Sequence, residues 1–200
     1  MANTQASFGF KHIGFLPGYA PDYQLTTRNI QSSYASSIFF GDPVIKSAAS
    51  KYIAQALGTG NVTALEGVFQ GCSYVPKGGG APVFAPWFPG SVQTDATAYL
   101  LAAPGALFLA AALLTPIPAT AIGNNIGYST GAGGTTVGAG FSTYTVDQGT
   151  IITAAAAPFQ IVDMYSSKGI GNGSDDTTNY NWVIVTFNSQ RFARAGTGVA

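Results

Sequence analysis

The chain has 200 residues, of which 46% are hydrophobic, 12% are aromatic and only 8% are charged. Eight Lys and Arg residues balance eight Asp and Glu residues, so the formal net charge is zero. This balance excludes a basic footprint for nucleic acid, and the apolar content argues against a disordered chain. A chain with no net charge has little like-charge repulsion between its copies, and this indicates a protein that functions as part of an assembly.

Residues 1–42 are rich in aromatic side chains and are interrupted by glycine and proline, without sustained periodicity. Two interpretations stay open: a strand and loops that pack on the protein's own domain, or an extended arm that reaches a neighbouring molecule. We divide the chain into an N-terminal arm, 1–42, and a β domain, 43–200. In an arm, aromatic side chains would dock on a partner, and the predicted partner-binding residues are Phe8, Phe10, Phe15, Tyr19 and Tyr23.

From residue 43 onward, short apolar runs are cut by Gly, Pro and Asn, a pattern that predicts an all-β domain. The segment 181–187 is apolar at successive positions, which predicts a central strand covered on both faces. Residues 48–57 are a helix candidate between Ser47 and Gly58, and a strand is the alternative. The other predicted strands are 43–46, 64–75, 141–146, 150–153 and 159–165.

No charged residue occurs between Ala96 and Val146, and the apolar runs 99–103 and 106–114 lie in this region. A membrane-spanning helix needs about 20 consecutive apolar residues. Pro104-Gly105 interrupts the run, so we predict two strands joined by a turn, and no membrane contact. The glycine-rich segment 131–140 predicts a loop.

The residues available for chemistry are few. Cys72 is the single cysteine and His12 the single histidine, which excludes an intrachain disulfide and a site made of several Cys or His ligands. Cys72 lies in a strand-like run, where a free cysteine is usually a small buried apolar residue. Asn172, Asp175 and Asp176 lack the order of a calcium loop. We therefore predict no enzyme activity, no catalytic residue, no cofactor and no metal site.

Several short blocks, spread in order over most of the chain, resemble a family of capsid decoration (cement) proteins of tailed bacteriophages. The blocks are Phe8-Gly9-Phe10, Phe40-Gly41-Asp42-Pro43-Val44, Gly67 to Tyr74, Pro82-Val83-Phe84, Trp87-Phe88-Pro89-Gly90, Ala96 to Tyr99 and Trp182 to Phe187.

The resemblance implies a β-barrel or jelly-roll-like sandwich that forms a homotrimer on the exterior of the virion. Such a protein is made in the host cytoplasm and clamps subunits of the major capsid protein. It would bind no nucleic acid and no membrane. Two alternatives remain: another neutral β-rich virion component, such as a tail or head fibre, and a soluble β-barrel that binds a ligand.

Overall fold

The computed structural model describes residues 3–4, 8–21, 23–47, 51–57, 65–130, 142–165 and 173–188. Within these ranges the regular structure is β-strand, apart from one 3-10 turn at Ala119–Ala121. The all-β prediction is therefore confirmed. The glycine-rich segment 131–140 lies outside the described residues.

Twelve strands follow one another along the described chain. The first six are β1 (Lys11–Phe15), β2 (Thr26–Ile30), β3 (Pro43–Lys46), β4 (Ile53–Gln55), β5 (Gly67–Tyr74) and β6 (Val83–Ala85). The last six are β7 (Ala96–Leu101), β8 (Ala106–Ala111), β9 (Asn125–Ser129), β10 (Thr145–Ile152), β11 (Phe159–Met164) and β12 (Trp182–Phe187).

The strands form two antiparallel sheets, as in a sandwich. The front sheet has the order β1-β8-β12-β11-β9-β10. The back sheet has the order β2-β7-β5-β3-β4, and β6 also pairs with β5. Because strands that are neighbours in a sheet are often distant in the chain, most of the fold depends on long-range pairing.

Alternation along β7 shows how the back sheet is buried. Successive side chains of a strand point to opposite faces. Leu101 belongs to the main core together with Phe108 and Val185 of the front sheet, whereas Leu100 belongs to a second apolar cluster. In that second cluster, Ile38 and Phe88 from loops cover the outer face of the back sheet.

The front sheet is covered differently. Val183 and Val185 of β12 are fully buried in the main core, but Trp182 and Ile184, which alternate with them, are only half-buried. The prediction of a central strand is confirmed, since β12 lies between β8 and β11. Its second face is not covered as completely as the sequence led us to expect.

The uncharged region contains the two predicted strands and the predicted turn. Ala106 N–H donates to the Ala103 carbonyl oxygen over 3.0 Å, which closes the turn at Pro104-Gly105. The two strands, β7 and β8, nevertheless belong to different sheets. The turn therefore carries the chain from the back sheet to the front sheet and does not form a hairpin.

Two features of the N-terminal third differ from the expectations. In the described part of 48–57, residues 53–55 form strand β4, so the helix candidate is wrong there and the strand alternative is confirmed. The extended arm is not confirmed, because β1 pairs with β8 in the front sheet and β2 pairs with β7 in the back sheet. Residues 1–42 thus contribute one strand to each sheet.

Candidate partner-binding surface

Two Phe-Gly motifs that are distant in the sequence pack against each other. The Phe10 N–H donates to the Gly41 carbonyl oxygen over 3.0 Å. Gly9 has a φ of +69°, and a Cβ atom there would lie 2.8 Å from the Gly41 carbonyl oxygen. Only glycine allows this approach, so Phe8-Gly9-Phe10 and Phe40-Gly41-Asp42 form one structural unit.

The two phenylalanines of the first motif have different environments. Phe10 is fully buried in the main core, where its ring stacks on Phe159 with the centroids 4.3 Å apart. This corrects the interpretation of Phe10 as a residue presented to a partner. Phe8 is half-buried, and its ring meets the indole of Trp182 edge-on at 4.9 Å.

An open pocket of about 280 Å³ lies beside Phe8. The residues that line it are Phe8, Lys11, Phe40, Leu109 and Trp182. Four of the five side chains are apolar, and the fifth, Lys11, is exposed. The pocket therefore suits an apolar side chain that has a carboxylate beside it. The sequence did not single out Lys11 or Leu109, because nothing in it showed that β1 and β8 are neighbours.

The remaining predicted residues form a second feature, the aromatic cluster of Phe15, Tyr19 and Tyr23. Phe15 and Tyr23 meet edge-on at 5.5 Å, and His12 lies 5.0 Å from the Phe15 ring. Tyr19 lies on the Pro104-Gly105 turn, where a Cβ atom at Gly105 would be 2.4 Å from its ring. Tyr19 is 54% exposed and Tyr23 is 72% exposed, so both tyrosines face solvent, whereas Phe15 is half-buried against the main core.

The candidate reactive groups are placed in structural roles. Cys72 is buried, and burial raises the pKa of its thiol to about 12, so little thiolate exists at neutral pH. Within the described ranges, no three His, Cys, Asp or Glu residues lie close enough to hold a metal ion. That the protein is not an enzyme stays a prediction.

Asp42 is a fully buried acid within the Phe-Gly unit. Its Oδ2 accepts hydrogen bonds from the Phe39 N–H at 2.9 Å and from Gln55 Nε2 at 2.7 Å. Burial raises the pKa of Asp42 to about 6, and these hydrogen bonds offset part of that effect. The carboxyl group ties the turn before β3 to β4, which is a structural role.

In the part of the chain that the structure describes, no helix is long and apolar enough to cross a membrane. The apolar segments that suggested one in the sequence are β7 and β8.

Comparisons with protein-family models, with curated proteins and with solved structures find no match. The surfaces described above and the resemblance in the sequence blocks are therefore the basis for proposing a function.

Proposed function

We propose that this protein is a capsid decoration protein, a structural component of a bacteriophage virion that binds the outside of the head. Its partners are the major capsid protein and further copies of itself. It is made in the host cytoplasm and uses no cofactor. The observation that carries the proposal is the pair of exposed tyrosines, Tyr19 and Tyr23, held beside Phe15 on an all-β scaffold.

The position of the aromatic cluster supports this role. Phe15 ends β1 in the front sheet, and the two tyrosines lie on the connection that leads from there to β2 in the back sheet. Both ends of the connection are therefore fixed by sheet pairing, and Leu16 N–H is also bonded to the Gly105 carbonyl oxygen over 2.8 Å. A side chain held in this way loses less conformational entropy when it binds, which favours docking on a large partner.

The chemistry of the cluster supports a protein partner. Tyrosine is enriched among the residues that dominate binding energies, because it offers a large apolar area and a polar end. Each aromatic side chain that becomes buried contributes roughly 1.5–3 kcal/mol by area, before the ordering cost is subtracted. Two tyrosines on each copy, repeated over a head, give a clamp that needs no catalytic group.

The test is binding of the purified protein to heads that lack it, measured by co-sedimentation. The double variant Tyr19→Ser, Tyr23→Ser should weaken binding at least about tenfold and leave the circular dichroism spectrum unchanged, since both side chains face solvent. Phe84→Ser is the matched control, because Phe84 on β6 is 75% exposed and belongs to the back sheet. Unchanged binding of the tyrosine variant would contradict the proposal.

A second measurement distinguishes a decoration protein from a tail or fibre protein. A protein that binds the assembled head stabilises it by mass action, so heads without it should release DNA at a lower temperature. A tail or fibre protein would instead change adsorption to the host and leave the head as stable as before.

A further inference from the structure

The outer face of the front sheet carries a row of four side chains contributed by four neighbouring strands. Residues directly opposite each other on antiparallel strands point to the same face. Lys11 on β1 is opposite Leu109 on β8, Leu109 is opposite Ile184 on β12, and Ile184 is opposite Asp163 on β11. The row therefore reads Lys11, Leu109, Ile184, Asp163 from one strand to the next.

The row is charged at both ends and apolar in the middle. Lys11 and Asp163 are exposed, Ile184 is half-buried, and Leu109 is 8% exposed. Neighbouring strands are about 4.8 Å apart, so the Cα atoms of Lys11 and Asp163 are separated by about 14 Å. Among the described residues, Arg28 and Glu66 form an ion pair in another part of the protein. Within the same residues, neither Lys11 nor Asp163 takes part in an ion pair.

The rest of this face is also suited to contact with a protein. Trp182 lies on it two residues before Ile184, and Leu107 lies on it two residues before Leu109; both are half-buried. The opposite face, with Phe108 and Val185, is the main core. Half-buried apolar side chains grouped on one face of a sheet are typical of an interface, whereas isolated ones are ordinary surface residues.

We propose that this face is the contact between two copies of the chain. The two-fold axis that relates the copies lies over the outer face, parallel to the strands and midway between β8 and β12. Such an axis reverses the row, so Lys11 of one copy meets the partner's Asp163, and Leu109 meets the partner's Ile184. The charges thus complement those of a second copy without any other molecule. Sheets that pack face to face lie about 10 Å apart with nearly aligned strands, which this arrangement allows.

The pocket beside Phe8 fits the same arrangement. It lies at the Lys11 end of the row, and Leu109 and Trp182 of the row's face line it. The two-fold axis places the partner's β11 over this end, with the partner's Asp163 at the rim that Lys11 occupies. An apolar side chain next to a carboxylate is the ligand that the pocket's lining suits. The inference does not depend on a capsid role, and the dimer stands in place of the trimer that the resemblance implies.

The test is the mass and the dissociation constant of the purified full chain, by light scattering and sedimentation equilibrium. The wild-type protein should have twice the chain mass of 20.5 kDa. Lys11→Glu and Asp163→Lys should each raise the dimer dissociation constant at least about tenfold, since each places like charges together twice in a dimer. The combined variant Lys11→Glu, Asp163→Lys should restore it to within about threefold.

Controls separate an interface from a loss of folding. Lys46→Glu makes the same change of charge at an exposed residue of the back sheet and should leave the dissociation constant unchanged. Ile184→Thr keeps a β-branched side chain, so it should weaken the dimer with an unchanged circular dichroism spectrum. A monomer, a trimer, or single charge reversals without effect would overturn the inference, as would failure of the combined variant to restore association.

Discussion

The outer faces of the two sheets differ in how far their apolar side chains are buried. On the back sheet, Phe69 and Leu100 are covered by Ile38 and Phe88, and all four side chains are fully buried. The two covering residues are joined by backbone hydrogen bonds of 3.1 and 2.7 Å. On the front sheet, Trp182 and Ile184 occupy the corresponding outer positions and stay half-buried.

The outer side chains of the back sheet are buried by the chain itself, whereas those of the front sheet keep exposed apolar area. Burial of an apolar side chain stabilises a fold whether the covering atoms come from the same chain or from another molecule. The back sheet obtains its cover from its own loops, so its outer cluster contributes to the stability of a single chain. On the outer face of the front sheet, Phe8 and Tyr165 contact Trp182, but Ile184 stays half-buried, and a second copy would bury it further.

The largest loss of stability is expected at an isoleucine on the covered outer face of the back sheet. An isoleucine on the outer face of the front sheet serves as the comparison. Ile38→Ala should lower the free energy of unfolding by about 2–5 kcal/mol at every protein concentration, because it leaves a cavity in a fully buried cluster. Ile184→Ala should lower the free energy of unfolding by less in dilute protein solution. The loss should grow as the protein concentration rises, since the proposed dimer buries Ile184 further. Urea denaturation at two concentrations measures both. Equal losses that do not depend on protein concentration would show that Ile184 gains no burial from a second copy.

The next effect concerns pH and the buried acid Asp42, whose pKa is raised from an ordinary 3.8 to about 6. A raised pKa means that the folded state holds the proton more tightly than the unfolded state. Its contribution to stability is therefore fully present below pH 3.8 and is lost as the pH rises to about 6. The difference across this window is about 3 kcal/mol, at 1.36 kcal/mol for each pH unit.

Asp42→Asn isolates this contribution from that of the other acids. The free energy of unfolding of the wild-type protein, minus that of Asp42→Asn, should fall between pH 4 and pH 7. Urea denaturation at several pH values measures this difference. Parallel pH profiles for the two proteins would show that Asp42 does not titrate in this range.

A smaller effect is expected at the start of β12. The side-chain amide of Asn181 accepts a hydrogen bond from Ile117 N–H and donates one to the Ile117 carbonyl oxygen, both over 2.9 Å. Asn181→Ala should lower the free energy of unfolding by about 2 kcal/mol, because it leaves buried backbone groups without partners. Asn29→Ala, at an exposed position of β2, is the control. Thermal unfolding followed by circular dichroism compares the two variants.

The smallest perturbation uses Cys72 as a probe of the covered face. Its side chain is 1% exposed in the cluster under Ile38 and Phe88, and burial raises the pKa of its thiol to about 12. The native protein should react with a thiol reagent at pH 8 at least about a thousandfold more slowly than the unfolded chain. Ile38→Ala should speed this reaction, and Ile184→Ala should leave it unchanged. Rapid labelling of the native protein would show that the cover is open.

Local patterns in the sequence determined the class of the fold and several of its elements. Short apolar runs between Gly and Pro predicted an all-β protein, and the strands at 159–164 and 182–187 lie where they were expected. The turn at Pro104-Gly105 and the burial of Cys72 were also predicted correctly. These features depend on residues close together in the chain, where turn chemistry and the alternation of side chains act directly.

Which strands are neighbours depends on contacts between distant parts of the chain. Residues 1–42 could have been an arm, but the pairing of β1 with β8 and the burial of Phe10 bring them into the fold. Likewise, alternation shows that Trp182 and Ile184 share a face, yet nothing local shows that Lys11 and Asp163 belong to the same row. Strand order and register result from the burial of whole faces against one another, a condition that involves the entire chain at once.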